Sequence, residues 1–201
     1  MTRLSVQDLD RIKDEYAPRI NFQDKQYLML CGGTGCHSTG SLEVKETLLR
    51  EIESRNLQDR VQVVETGCNG FCANGPILVV QPQDIFYQKL TSEDIPELIE
   101  QQIERDTPVE RLLFKDPDSK EVIPAQHDIP FFADQMPWAL RNKGYIDPES
   151  IEEYIARNGY RGAAKARPAR ARPSMSRPFQ AVRIFSSRAT KGRSLRVASS
   201  L

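Results

Sequence analysis

Four cysteines occur in the chain, and all of them fall in two glycine-rich stretches. Cys31 and Cys36 are separated by four residues in LCGGTGCHSTGS, and Cys68 and Cys72 by three residues in TGCNGFCANGP. Thiolates in this number bind a metal ion or an iron–sulfur cluster, or they form disulfides. The N-terminus has no apolar core of the kind found in secretory signals, and cysteine clusters in cytoplasmic proteins usually bind metal. We therefore expect a metal or iron–sulfur centre in a cytoplasmic protein without a membrane span.

The cysteine spacing discriminates between kinds of site. Structural zinc sites also use four thiolates, but their pairs usually have the CxxC spacing, which is absent from this sequence. A thioredoxin-type disulfide would need the same motif at the start of a helix. An iron–sulfur cluster is therefore favoured, with zinc as the alternative. His37 could replace a cysteine ligand as in Rieske centres, but with four cysteines available we expect it only to lie nearby as a hydrogen-bond donor.

Each cysteine pair follows a predicted strand. The apolar run QYLML leads into Cys31, and RVQVVET leads into Cys68. The 31 residues between the pairs accommodate one crossover helix, which begins at Ser41 and has apolar residues at four-residue spacing. If the two strands are neighbours, both loops emerge at one edge of the sheet and the four sulfurs converge.

The remaining elements complete a thioredoxin-like pattern. Ser5 and Asp8 are spaced as a capping box that opens a helix to about Tyr16. PILVV and IFYQKL predict a hairpin, and a second capping box, Thr91 with Asp94, opens the last helix. The order is β-α-β followed by β-β-α. It predicts an α/β fold with a four-stranded mixed sheet and flanking helices.

Six glycines flank the cysteines in the two loops. Glycine allows the backbone to approach a ligand closely, so that amide groups can point at an anionic sulfur cluster. Such donors would stabilise the cluster and tune its potential. The six are Gly32, Gly33, Gly35, Gly67, Gly70 and Gly75.

The motifs CGGTGC and ETGCNGFCANGP resemble the thioredoxin-like [2Fe-2S] ferredoxin domain, over residues 26–104. This domain stands at the N-terminus of the NADH-binding flavoprotein subunit of NAD-linked, electron-bifurcating hydrogenases, and is similar to the small ferredoxin subunit of respiratory complex I (NADH dehydrogenase). The resemblance implies four cysteine ligands, one pair to each iron: Cys31, Cys36, Cys68 and Cys72. It also suggests the hypothesis that Pro76 follows a cis peptide bond.

The resemblance continues in residues 129–160, which are similar to the lead-in of that subunit before its FMN- and NADH-binding domain. We predict an N-terminal helix (1–25), the ferredoxin domain (26–105), an extended linker (106–130), the lead-in segment (131–160) and a disordered basic tail (161–201). Four prolines and several charges in 106–130 are typical of a linker that lets the domain swing between partners, and we expect His127 to be a linker residue.

Within the lead-in segment, Asp147 is predicted to cap a helix with an apolar stripe formed by Ile151, Tyr154 and Ile155. The family more often has cysteine where this chain has Lys143. The resemblance does not make that position a ligand, so the difference leaves the predicted site intact.

Charge is distributed unevenly along the chain. Residues 1–160 carry 17 basic and 28 acidic side chains, whereas residues 161–201 carry 11 basic and no acidic ones. The flavin and nicotinamide loops of the family have no counterpart after Tyr160. We favour a frameshift or truncated gene model over a nucleic-acid-binding arm, because such arms usually interleave aromatic residues and only Phe179 and Phe185 occur here.

The expected function is one-electron transfer through a [2Fe-2S] cluster, at a potential of about −400 mV if it behaves like plant-type ferredoxins. FMN and NAD would belong to the missing downstream domain, so the chain alone is not expected to oxidise NADH. Expected partners are ferredoxin-like or hydrogenase subunits of a multi-subunit oxidoreductase, and nucleic acid is not expected. The alternative is a zinc-stabilised interaction module whose basic tail binds nucleic acid.

Overall fold

The structure is a computed structural model that describes residues 5–169, with side chains as far as residue 166. The helices are α1 (Val6–Ile20), α2 (Thr34–Ser38), α3 (Ser41–Ser54), α4 (Ile95–Leu98, continued as a π-helix over Ile99–Glu104), α5 (Pro130–Ala133), α6 (Ile151–Ala156) and α7 (Arg161–Ala169). The strands are β1 (Gln26–Cys31), β2 (Val61–Thr66), β3 (Leu78–Gln81), β4 (Ile85–Tyr87), β5 (Phe114–Lys115) and β6 (Val122–Ile123).

Four of the strands form one mixed sheet in the order β2-β1-β3-β4. β1 and β2 are parallel, with Gln26 opposite Val61 and Cys31 opposite Thr66. β3 runs antiparallel to β1, and β4 antiparallel to β3. The predicted α/β fold, a thioredoxin-like mixed sheet with flanking helices, is therefore confirmed.

The central strand β1 is buried on both faces of the sheet. Leu28 and Leu30 belong to the core shared with α3 and α4, while Tyr27 and Met29 belong to a second core on the opposite face. All four are at most 1% exposed. Burying a leucine or methionine contributes about 1.5–3 kcal/mol. This two-sided burial explains why the strand is a continuous apolar run rather than an alternating one.

Both predicted capping boxes are present. Ser5 Oγ accepts from the Asp8 amide at 3.2 Å, and the Asp8 carboxylate accepts from the Ser5 amide at 2.7 Å. Thr91 and Asp94 form the same reciprocal arrangement directly before α4. The first helix extends to Ile20, beyond the predicted end near residue 16, because Ile20 is itself buried in the fold.

A buried tyrosine joins the sheet to the continuation of α4 and to the segment that follows it. Tyr87 Oη donates to Gln102 Oε1 at 2.6 Å and accepts from the Val109 amide at 3.2 Å. Burial raises the pKa of Tyr87 to about 12. The hydroxyl therefore remains protonated and satisfies two buried groups at neutral pH.

Residues 106–130, predicted to be an extended linker, pack against β4 in the structure. The Phe86 amide donates to Pro124 O at 2.8 Å, and the Gln88 amide donates to Leu112 O at 3.0 Å. Five apolar residues of this segment are buried in the two cores: Val109, Leu112, Leu113, Phe114 and Ile129. The segment is part of the folded domain because these side chains complete its core.

His127 is not a free linker residue either. Its Nδ1 atom lies 2.6 Å from Asp84 Oδ2, and the His127 amide donates to the same oxygen at 3.1 Å. The hydrogen bond with Asp84 is the main cause that raises the pKa of His127 above its ordinary value. The histidine thus ties the segment to the turn between β3 and β4.

The helix predicted in the lead-in segment is present as α6, but it begins later than expected. Its N-cap is Ser150, whose Oγ accepts from the Glu153 amide at 3.2 Å, rather than Asp147. The Asp147 side chain instead accepts from the Glu149 amide in the turn before the helix. Of the predicted apolar stripe one residue is buried and two are largely exposed: Ile155 (2% exposed), Ile151 (47%) and Tyr154 (41%).

The lead-in segment is fastened to the N-terminal helix by an ion pair that is nearly buried. Arg19 Nε lies 3.1 Å from Glu153 Oε1, and the side chains are 10% and 7% exposed. The Arg19 guanidinium also lies 3.8 Å from the centroid of the Tyr27 ring, a cation–π contact. These contacts connect α1, β1 and α6.

The first part of the segment predicted to be a disordered tail is helical. Residues 161–169 form α7, and Arg161 pairs with Asp10 of α1. The predicted tail beyond residue 169 lies outside the described residues. None of the described helices is both long and apolar enough to cross a membrane.

Candidate metal centre

The parallel strands β1 and β2 deliver all four cysteines to one edge of the sheet. Cys31 is the last residue of β1, and Cys36 lies in the short helix α2. Cys68 comes directly after β2 and one glycine, and Cys72 opens a single turn of 3-10 helix. Because neighbouring parallel strands end at the same edge of a sheet, the two loops lie together, as predicted.

Two glycines of the first loop show how closely the loops approach each other. A Cβ atom on Gly33 would lie 2.9 Å from Cys68 Sγ and 3.6 Å from Cys31 Sγ. A Cβ atom on Gly35 would lie 3.1 Å from Cys72 Sγ. The backbone of the first loop is therefore pressed against the sulfurs of the second, in a space that a side chain would fill.

The second loop approaches the first in the same way. A Cβ atom on Gly75 would lie 2.8 Å from Cys36 Sγ. The peptide bond from Gly75 to Pro76 is cis, in agreement with the hypothesis from the sequence. Gly70, with a φ of 80°, donates its amide to Cys68 Sγ at 3.3 Å. This is the type of amide-to-sulfur contact expected of the loop glycines.

The cysteines form one buried and one exposed pair. Cys31 and Cys36 are each 1% exposed, whereas Cys68 and Cys72 are exposed. Burial, with a hydrogen bond and charge from Cys31, raises the pKa of Cys36 to about 12. The neighbouring charge of Cys68 is the main cause that raises the pKa of Cys72. Thiolates here repel one another, and a bound metal centre offsets this repulsion as the thiols release their protons.

The donor set consists of four free cysteines in two pairs, one pair in each loop. A structural zinc ion needs four thiolates at about 2.3 Å from one centre. In a [2Fe-2S] cluster each iron takes two protein ligands. The two cysteine pairs therefore fit a two-iron cluster.

His37 lies beside the cysteines and is engaged with a carboxylate. Its Nε2 atom is 2.9 Å from Glu65 Oε1, and Lys45 Nζ donates to Glu65 Oε2 at 2.6 Å. The Lys45 hydrogen bond is the main cause that holds the pKa of Glu65 below its usual range. Glu65 also lies against the first loop, since a Cβ atom on Gly32 would be 2.8 Å from Glu65 Cγ. The group braces the first loop against the end of β2.

Sequence reasoning missed a contact between the second loop and the lead-in segment. Lys143 Nζ donates to the carbonyl of Asn69, the residue after the first cysteine of that loop, at 3.2 Å. The Gly144 amide donates to Thr66 Oγ1 at 3.0 Å, and that hydroxyl donates to Ile146 O at 3.1 Å. These bonds join residues 74 to 80 positions apart. No local sequence signal could have indicated them.

Aromatic side chains cover another side of the second loop. Phe71, directly before Cys72, stacks on Phe131 with ring centroids 4.5 Å apart. Its ring also lies 5.6 Å from that of Phe132 and 5.8 Å from that of Phe114. Aromatic pairs of this kind contribute about 0.5–1.5 kcal/mol each beyond their burial. The cluster fixes the backbone that carries Cys72.

The similarity of this chain to known proteins agrees with the geometry. Residues 19–102 match the family model of the thioredoxin-like [2Fe-2S] ferredoxins. A 2Fe-2S ferredoxin of Clostridium pasteurianum is 43% identical over 77 residues, which are 38% of this chain and 76% of that protein. One of Aquifex aeolicus is 33% identical over 79 residues, which are 39% of this chain and 71% of that protein.

A solved structure of the thioredoxin-like [2Fe-2S] ferredoxin of Aquifex aeolicus is similar as well. It has 27% identity and a TM-score of 0.42, over 46% of this chain and 99% of that one. The identity and coverage of the two ferredoxin sequences decide the family. The chain belongs to the thioredoxin-like [2Fe-2S] ferredoxins.

Proposed function

We propose that the chain is a one-electron carrier whose [2Fe-2S] cluster is bound by four cysteines, one pair to each iron: Cys31, Cys36, Cys68 and Cys72. The observation that carries this proposal is the close contact of the two cysteine loops, in which Gly33 lies against sulfurs of both. Membership of a ferredoxin family supports it. When bound, such a cluster takes up and releases one electron.

The residues around the cysteines hold the sulfurs in place. Gly33 and Gly75 have no side chain, which keeps free the space directly beside three of the sulfurs. The Gly70 amide points at Cys68 Sγ and stabilises negative charge there. The rings packed around Phe71 hold the backbone directly before Cys72. Each of these features favours a thiolate in a fixed position.

Electrons enter and leave from the side of the exposed cysteine pair. Cys31 and Cys36 are covered by the sheet and the loops, whereas Cys68 and Cys72 are exposed. A redox partner that docks on the second loop reaches the site over the shortest path. The expected surface for exchange is therefore the second loop and its surroundings.

Metal analysis and spectroscopy test the proposed cluster. Protein purified without oxygen should contain about two iron and two sulfide ions per chain and give an electron paramagnetic resonance signal on reduction. The Cys72→Ser variant should lose this signal or hold the cluster poorly. Ala73→Ser, which introduces the same residue at the neighbouring exposed position, should behave like the wild type. Colourless protein that contains one zinc ion per chain would show that the proposal is wrong.

The wider role of the chain is also a proposal. The carrier would serve as the N-terminal electron-transfer part of the NADH-binding flavoprotein of a hydrogenase or NADH dehydrogenase complex, and exchange electrons with its other redox subunits. The support is the sequence of residues 129–160, which resembles the lead-in of that flavoprotein. The same segment contacts the second cysteine loop through Lys143 and the end of β2 through Gly144. FMN and NAD would act in a different domain, where the hydride is split into single electrons.

Stopped-flow spectroscopy tests this role. NADH alone should leave the spectrum of the oxidised protein unchanged, whereas NADH with a flavoprotein NADH dehydrogenase should bleach it. Reduction by NADH alone would contradict the separation of hydride chemistry from this chain. Failure of both mixtures, with a cluster that dithionite reduces, would contradict an NAD-linked role.

A further inference from the structure

We propose that Lys143 raises the reduction potential of the cluster, and so determines how readily the chain accepts an electron. The inference rests on the proposed function, because it concerns the cluster that the four cysteines would hold. Its basis is the position of the ammonium group. Lys143 Nζ donates to the carbonyl of Asn69, which follows Cys68 directly, and both Lys143 and Cys68 line one cavity of about 550 Å³.

Lys143 is held in this position from several sides. Its neighbour Gly144 bonds through its amide to Thr66 Oγ1, and Thr66 is the last residue of β2. The ammonium group also lies 5.7 Å from the centroid of the Phe132 ring, within the range of a cation–π contact. The lysine therefore bridges the carbonyl after Cys68 and the aromatic cluster, and its charge is fixed near the second loop.

Lys143 forms no ion pair with a described carboxylate, although Glu149 lines the same cavity. The ion pairs within the described part of the chain do not include Lys143, whereas Lys45 on the other side of the site is paired with Glu65. Reduction adds one negative charge to a cluster that thiolates already make anionic. A fixed positive charge close by, without an ion-pair partner, stabilises that added charge and favours the reduced form.

The chain offers a matched control for this charge. Lys25 Nζ also donates to a backbone carbonyl, that of Gln58, at 2.9 Å. Lys25 precedes β1, so it lies at the opposite end of the strand from Cys31, about 20 Å away at 3.3 Å per residue. Lys25→Met therefore removes the same charge and the same type of bond without acting on the cysteine loops.

Redox titration of the purified holoprotein, followed by electron paramagnetic resonance, tests the proposal. A unit charge at short range changes the ratio between the two charge states of a neighbouring group by about tenfold or more. Lys143→Met should therefore lower the ratio of reduced to oxidised cluster at a fixed potential by about tenfold, which for one electron is a shift of about 59 mV to lower potential. Lys143→Arg keeps the charge and should have the wild-type reduction potential. Lys25→Met should have it as well.

Further variants distinguish charge from structure. Lys143→Gln retains an N–H donor but lacks the charge, so its potential should fall as that of Lys143→Met does. An intact cluster whose potential is unchanged in both neutral variants would overturn the proposal. Loss of the cluster in both would overturn it too, because the lysine would then hold the loop rather than set the potential. A wild-type protein without a [2Fe-2S] spectrum would instead refute the proposed function.

Discussion

Replacing Gly33 by alanine tests whether the space beside the sulfurs is needed. The backbone there has φ −69° and ψ 148°, which alanine adopts without strain. The obstacle is contact, since the new methyl carbon would lie 2.9 Å from Cys68 Sγ and 3.1 Å from Cys68 Cβ. Ordinary contacts are about 3.5–4.0 Å, so the cysteine would have to recede by about 0.5–1 Å. Metal–ligand distances tolerate only about 0.2 Å.

The expected cost follows from this misfit. Overpacking of this kind costs about 1–3 kcal/mol. If the cost falls on the cluster-bound state, the variant should retain its cluster roughly 5- to 150-fold less well than the wild type. Iron content after anaerobic reconstitution, and the rate of bleaching in excess chelator, measure this loss.

Gly67 provides the matched control, because it directly precedes Cys68 and its φ lies outside the left-handed region. Nothing lies within 4 Å of a Cβ atom at this position. Gly67→Ala should therefore keep its cluster like the wild type. If Gly33→Ala retained two irons as long as Gly67→Ala, the close packing of the first loop on Cys68 would have no role in binding.

Substitutions at three further contacts, away from the cysteines, test the packing of the fold. Tyr87→Phe removes a hydroxyl with two buried partners and should lower the free energy of unfolding by about 1–3 kcal/mol in a urea titration. An unchanged midpoint would show that these two hydrogen bonds do not stabilise the fold. Glu153→Gln leaves the buried guanidinium of Arg19 without its carboxylate and should lower the free energy of unfolding by about 3–5 kcal/mol. The double variant with Arg19→Met and Glu153→Leu should recover much of this stability. Asp84→Asn should lower the pKa of His127 in an NMR titration, because Asp84 raises it. Since the folded-state pKa is raised, the stabilisation by this pair is fully present below about pH 6.5 and is lost as the pH rises through the folded-state pKa.

The features predicted from the sequence are those with a strong local signal. The capping box of Ser5 and Asp8 and the strand that ends in Cys31 are defined by residues a few positions apart. The meeting of the cysteine loops followed from one further rule, that consecutive strands tend to be neighbours. These signals are sufficient to predict the sheet and the position of the cysteine loops.

What the sequence did not predict depends on contacts between distant residues. Leu112 and Phe114 lie in a proline-rich segment without apolar periodicity, so nothing local indicates that they complete the core. Asp147 followed by proline is typical of a helix start and predicts an N-cap there, but the Ser150 side chain makes the capping bond. Lys143 reaches the second loop only through tertiary folding.

The backbone contacts between residues 106–130 and β4 also bear on self-association. β4 is an edge strand, and the open edge of a sheet offers unpaired amides and carbonyls to strands of other molecules. Here bridges from Ile85 to Ala125 and from Tyr87 to Leu113 occupy that edge. The segment therefore protects the sheet from edge-to-edge aggregation, and a fragment cut after residue 105 would present a template on which further copies could assemble.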